Sequence, residues 1–110
     1  MMCSTVDTTK ISSLFNDPKF PLGKVVLTQG ILNLIIKEGL LPEDYINRHS
    51  QCDWSDMSDD DQLSNADALD DGLRIFSSYK LDKGIYSADS VWVITEHDRS
   101  VTTILLPMEY

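Results

Sequence analysis

Hydrophobic and polar positions along this chain change rhythm near Leu73, dividing it into a helical half and a strand-forming half. Lys24 to Thr28 (KVVLT), following Gly23, is rich in β-branched residues and predicts one short strand before the helices. Thr28 then stands where a helix cap belongs. Ile31, Leu32, Leu34, Ile35 and Ile36 cover more than one face of the helix that follows, which predicts that it is mostly buried. Gly39 occupies the position of a left-handed stop, and Leu40 can pack back on the last turn. Gly30 runs against the pattern, since glycine there costs about 1 kcal/mol relative to alanine. Pro42 opens a second helix at the favoured first position, with Glu43 and Asp44 at the positive end of its dipole, running through Tyr45 and Ile46 to about His49. A loop from Ser50 to Met57 carries Trp54. Ser58 and Asp61 resemble a capping box in which the shorter Asp replaces Glu. Asp59, Asp60 and Asp61 fill the first turn of a third helix, whose predicted inner face is Leu63, Ala66 and Leu69 and whose stop is Gly72.

Beyond it the period is 2. Leu73, Ile75, Ser77, Tyr79 and Leu81 alternate with Arg74, Phe76, Ser78 and Lys80. After an Asp82-Lys83-Gly84 turn, Val91 to Ile94 is apolar on both faces and predicts a central strand. His97 to Ser100 is a polar hairpin, and Val101 to Leu106 returns as a last strand. The fold class is therefore α+β: one short strand, three helices, then a three-stranded antiparallel meander, with the helices on one face of a small sheet. Residues 1–16 are polar and weakly patterned and predict a loose N-terminal arm, leaving residues 17–110 as a single domain.

Composition adds bounds. A chain of 110 residues holds one domain, and 42% hydrophobic residues argue against overall disorder. The longest apolar stretch, Ile31 to Ile36, falls far short of the roughly 20 residues that span a bilayer, and Met1 to Asn16 lacks the pattern of a secretory signal. A cytoplasmic protein without membrane contact is expected. Cys3 and Cys52, even with His49 and His97, show no ligand spacing, so neither a metal nor a cofactor is expected.

Charge changes the picture more. The net charge is −9, and between His49 and Leu73 stand eight aspartates without one Lys or Arg; the remainder holds ten acids against nine bases. Direct binding of nucleic acid by that face is disfavoured. The same carboxylates on a rigid helix could imitate phosphates and fill a basic groove of a DNA-binding protein, or simply solvate a face and cap a dipole.

Two other constellations carry chemistry. His49 beside Arg48, four residues before Asp53, could act as a general acid or base. Equally, Asp53 bonds local backbone, Trp54 fills the core and His49 closes the second helix as a cation. Thr95-Glu96-His97-Asp98-Arg99-Ser100 concentrates polar groups at a hairpin tip, either as a site or as a solvated turn in which Asp98 bonds its own backbone and Arg99 pairs with Glu96. If the helices cover one sheet face, His49, Asp53, Arg74, Glu96 and Arg99 can meet at a sheet edge. Nucleophile elbow, phosphate-cradling glycine loop and His-x-x-x-His motifs are absent from the sequence.

Arg48-His49-Ser50-Gln51-Cys52-Asp53-Trp54, Asn65 to Leu69, Gly72 to Tyr79 (GLRIFSSY) and Val91 to Tyr110 (VWVITEHDRSVTTILLPMEY) resemble a family of small proteins carried on plasmids and integrative elements of proteobacteria. Its members are named only as plasmid-related or loosely associated with type I restriction. The likeness runs from about Leu22 to the end. Where the family reads Gly-Asp-Trp-Gly, this chain has Cys52-Asp53-Trp54-Ser55. The resemblance implies a mobile-DNA setting and no established activity; in that setting the small, acidic composition leads to the expectation of a non-enzymatic accessory protein. Its expected role is a DNA-mimicking inhibitor of a restriction-type defence, meeting the basic surface of a DNA-binding complex. Asp53, Asp59, Asp60, Asp61, Asp67, Asp70, Asp71, Glu96 and Asp98 are the candidate binding residues. Two rival expectations stand beside it. One is a metal-independent ribonuclease-like enzyme or toxin using His49, Arg74, Arg99 and Thr102; the other is a protein-binding adaptor without mimicry.

Overall fold

The computed structural model describes residues 18–110 and the short strand Thr5–Val6. Among them, strand β1 (Thr5–Val6) precedes β2 (Lys24–Leu27), helices α1 (Gln29–Glu38), α2 (Pro42–Ser50) and α3 (Asp59–Asp71), then strands β3 (Ile75–Lys80), β4 (Ser90–Thr95) and β5 (Val101–Leu105), and a 3-10 turn (Pro107–Glu109). The class is α+β, and β3, β4 and β5 form the predicted antiparallel meander. The sheet is nonetheless mixed, with order β1-β2-β5-β4-β3, because β2 lies parallel to β5. Two antiparallel reversals after β3 bring β5 back in the direction of β2, while the helices carry the chain to the far edge. β1 adds to the outer edge of β2, in a segment predicted to be loose; the rest of that predicted arm lies outside the described residues.

The helix-facing side of the sheet is a continuous buried surface in which Val25, Ile75, Tyr79, Val91, Val93 and Ile104 are all fully buried. Two apolar clusters rest on it. One gathers Ile31, Leu34 and Leu40 over Tyr79, Val91, Val93 and Ile104; the other gathers Phe20, Leu22, Ile46, Trp54 and Ala68 over Val25 and Ile75. Leu40 is 1% exposed, packed back behind Gly39, whose φ of 74° ends α1 as predicted.

Several local expectations are corrected. α1 is amphipathic rather than buried all round: Ile31 and Leu34 are buried, and Ile36, on the side away from the sheet, is 71% exposed. Thr28 sits at its N-cap without capping it; its hydroxyl donates to Glu109, and the Glu109 carboxylate accepts the Gly30 amide instead. That arrangement accounts for Gly30, since a Cβ there would lie 2.7 Å from the Glu109 carboxylate. On α3, Ser58 accepts the Asp61 amide as expected, but the buried residues are Asn65 and Ala68, and Leu63 is 63% exposed. The reason lies at the sheet edge. The Asn65 amide donates to the Phe76 carbonyl (2.5 Å) and accepts from the Phe76 N–H (3.1 Å), acting as one residue of a missing neighbour strand beside β3. Asp56 receives a second outward amide of the same strand, that of Lys80. Edge strands present unpaired backbone groups, and α3 rotates its polar Asn65 inward to satisfy them.

Gly23 is fixed by contact as well as by conformation. Its φ is +63°, and a Cβ would stand 2.3 Å from the Ser100 carbonyl oxygen in the β4–β5 hairpin. The neighbouring Lys24 amide donates to that same oxygen at 3.0 Å, which sets the register of β2 on β5.

Candidate functional site

His49, the leading acid–base candidate, is fully buried at the end of α2, and both ring nitrogens are engaged. Nδ1 lies 2.6 Å from the Ser77 hydroxyl on β3, and Nε2 lies 2.8 Å from the Thr95 hydroxyl on β4. Thr95 meets Thr102 of β5 at 2.7 Å, and Thr102 donates to the Leu22 carbonyl at 2.7 Å. At the other end the Trp54 indole N–H donates to Ser77 at 3.0 Å.

Proton counting orients the whole chain. A carbonyl only accepts, so the Thr102 proton points to Leu22 and Thr102 must accept from Thr95. The Thr95 proton is then spent, so His49 donates to Thr95 from Nε2. The neutral ring is left with an acceptor at Nδ1, which takes the Ser77 proton, while Ser77 accepts from Trp54. Every hydroxyl donates once and accepts once. Burial first, and the Arg99 charge second, lower the His49 pKa to about 3. This imidazole is neutral and holds three strands to a helix. The predicted C-terminal cation of α2 is therefore corrected: desolvation outweighs the helix dipole.

The other grouped candidates are also occupied. Asp53 pairs with Arg48 at 2.7 Å rather than with His49. Hydrogen bonds from Arg48 and then Ser55 hold its carboxyl at about 2. Arg48 also reaches Asp56 at 3.5 Å and lies over the Tyr79 ring, whose hydroxyl donates to the Asp53 carbonyl. Cys52 adopts a left-handed φ of 59°. Arg74 pairs with Glu96 at 3.2 Å and donates to the Tyr110 hydroxyl. Arg99 does not pair with the Glu96 carboxylate, as expected for a solvated turn, but donates to the carbonyls of Leu73, Glu96 and Ala68. It thereby supplies the cation at the end of α3, where the helix has no basic residue in its last turn. Asp98 accepts from the Ser100 amide and hydroxyl, as that reading anticipated. Thr102 is fully buried in the relay. The ribonuclease-like quartet His49, Arg74, Arg99 and Thr102 is thus distributed among structural tasks, with two members out of reach of a substrate.

What remains unassigned is α3. Asp59, Asp60, Asp61, Asp67, Asp70 and Asp71 are exposed, and none forms an ion pair among the described residues. Several carboxylates elsewhere have internal partners: Glu38 accepts the Ser87 amide, Asp89 pairs with Lys83, and Glu109 caps α1. Partial burial pushes the Glu109 carboxyl up, but hydrogen bonds from Thr28 and from the Leu106 and Gly30 amides outweigh it and hold the group below its ordinary range. At 3.6 residues per turn, Leu63 lies within about 40° of Asp59, Asp67 and Asp70 around the helix, on the side opposite Asn65 and Ala68. α3 therefore shows a leucine framed by aspartates. Sequence patterning missed this because it assigned Leu63 to the core.

Among the described residues no cluster of three or more His, Cys, Asp and Glu could hold a metal ion, and no helix is long and apolar enough to cross a membrane. Comparison with protein-family models, with curated proteins and with solved structures returns no match.

Proposed function

We propose that this chain is a small acidic accessory protein of a bacterial mobile element, and that the exposed face of α3 occupies a basic surface of a DNA-binding defence complex. The observation that carries the reading is the placement of Asp67, Asp70 and Asp71. Asp59, Asp60 and Asp61 need no partner to explain them, because carboxylates in the first turn of a helix are favourable to its dipole. The other three are unfavourable. Asp70 and Asp71 end the helix at its negative pole, and Asp67 stands three and four positions from them, where like charges repel. Together these contacts cost on the order of 1 kcal/mol; Arg99 offsets part of it at the Ala68 and Leu73 carbonyls, and among the described residues no bond is made to these three carboxylates themselves.

The charge count suits phosphate mimicry. From Asp59 to Asp71 the helix rises about 18 Å, and the five carboxylates on the Leu63 side (Asp59, Asp60, Asp67, Asp70 and Asp71) equal in number the roughly five phosphates of one DNA strand over the same span. Leu63 supports a protein as the partner, since an apolar side chain amid the charges gains from a pocket and not from solvent. The resemblance to mobile-element proteins makes restriction-type complexes the first to test.

The test is DNA cleavage by a purified type I restriction complex, with this protein as competitor. The wild type should inhibit, with an inhibition constant that rises steeply with salt, because the attraction is screened over about 8 Å at physiological ionic strength. Asp67→Asn, Asp70→Asn and Asp71→Asn combined should abolish inhibition without loss of folding. Equal inhibition by wild type and triple variant, or none by either, would overturn the proposal.

A further inference from the structure

A cleft of about 440 Å³ lies away from α3, bounded by residues 87–90, by Trp92 and by residues 106–108. Its size falls within the range of small-molecule sites, roughly 300–1,000 Å³. The walls are built rather than incidental. Glu38, the last residue of α1, accepts the Ser87 amide at 2.7 Å and ties one wall to that end of the helix. Glu109 accepts the Gly30 and Leu106 amides at 2.8 and 2.9 Å and ties the other wall to its beginning. Trp92 is held edge-on by Phe76 at 4.8 Å and by Tyr110 at 5.6 Å between ring centroids, and Tyr110 is fixed in turn by Arg74. One helix and an aromatic trio thus set the shape of the cleft before any ligand arrives.

The lining selects a chemistry. Ala88, Trp92, Leu106, Pro107 and Met108 make it predominantly apolar, and Met108, 87% exposed, forms an adaptable rim. Among the described residues the one ionisable side chain lining it is Asp89. Its partner Lys83 sits at 2.8 Å with both side chains about three-quarters exposed, a geometry in which an ion pair exchanges readily for another cation. A carboxylate in the lining, on a chain of net charge −9, repels anions and favours positive charge. We infer that the cleft is a binding site for a small hydrophobic ammonium ion, its apolar body against Trp92 and Leu106 and its charge toward Asp89. This inference is independent of the acidic-helix reading.

Benzylammonium is a suitable probe, with neutral benzyl alcohol as its control, followed through the backbone amides and the Trp92 indole by ¹H–¹⁵N correlation spectra. Benzylammonium should give saturable shifts confined to residues 87–90, Trp92 and residues 106–108. Its affinity should exceed that of the alcohol by about two- to fivefold, the range an exposed charge pair commonly gives. Asp89→Asn, an exposed change that leaves the fold intact, should remove that preference and leave binding of the alcohol unaltered. Scattered or non-saturating shifts would overturn the site. Equal affinity for amine and alcohol would overturn its assignment to cations, and a preference that survives in Asp89→Asn would overturn the placement of the charge at Asp89.

Discussion

Lowering the pH from 7 to 4.5 should destabilise this protein mainly through His49, with its paired glutamates only beginning to contribute at the lower end. An unfolded histidine takes up a proton near pH 6.5, whereas in the folded chain burial and Arg99 delay that step to about 3. Between those values the unfolded state binds more protons, so stability falls as pH falls. At pH 4.5 the unfolded group lies two pH units below its own pKa, and the folded group is still neutral. At 1.36 kcal/mol per unit the loss relative to pH 7 is about 2.5 kcal/mol, a large part of the 5–15 kcal/mol typical of a domain. The geometry gives the cost a location. A proton on Nδ1 would turn that atom into a donor facing Ser77, which already accepts from Trp54, and the Ser77 proton would lose its acceptor.

The carboxylates work in a lower window. Asp53, held at about 2, contributes stability that is present above its unfolded value near 3.9 and is lost only as pH drops toward 2. Urea denaturation followed by tryptophan fluorescence at pH 7.0, 6.0, 5.0 and 4.5 measures the effect. His49→Gln provides the reference, because glutamine can accept from Ser77 and donate to Thr95 without titrating. Whatever its starting stability, the variant should lose about 2.5 kcal/mol less than the wild type over this range. Parallel curves, agreeing within about 0.5 kcal/mol, would refute the neutral, fully engaged imidazole.

Gly23→Ala should cost at least about 2–3 kcal/mol in urea denaturation, since it combines a left-handed alanine with a Cβ 2.3 Å from the Ser100 oxygen. Asn65→Ala strands the Phe76 N–H and carbonyl at the β3 edge, costs about 2–3 kcal/mol, and should promote concentration-dependent association measurable by light scattering. Cys52→Gly relieves a φ of 59° and should raise stability by about 0.5–1 kcal/mol, the left-handed strain exceeding the added chain entropy. Asp70→Asn with Asp71→Asn should raise stability by a similar amount, about 0.5–1 kcal/mol at low ionic strength, and the gain should vanish in 1 M salt.

Much of the fold was legible because burial follows period. The alternation from Ile75 to Lys80 became β3 with buried and half-buried residues in turn, and Val91 to Ile94 became the interior strand of the meander. Helix stops at Gly39 and Gly72 followed from local chemistry. The parallel pairing of β2 with β5 was not legible, because hydrophobic pattern fixes which face is buried and leaves open which edge receives a strand. α3 was misread for a related reason. Its inward residue answers backbone groups of β3, so the core-facing position is an asparagine and the outward one a leucine, the reverse of what amphipathic patterning expects.

The candidate site divides along the same line. His49 looked reactive because imidazole beside Arg48 and ahead of Asp53 is a familiar catalytic grouping, yet its partners lie 28 and 46 positions away on strands. A signal was present: Ser77, Thr95 and Thr102 all fall in the buried phase of their strands, where three hydroxyls require a shared partner. Groups that carry chemistry in sequence were consumed by the fold, each satisfied by a bond that can be named. The aspartates of α3 are the opposite case, plain in sequence and unassigned in the structure. A carboxylate that caps, pairs or solvates an edge lowers the free energy of the folded chain, whereas Asp67, Asp70 and Asp71 raise it. Among the described residues these three carboxylates bond to nothing within the fold, which is why we propose an external partner for them, and they stand together at one end of one helix.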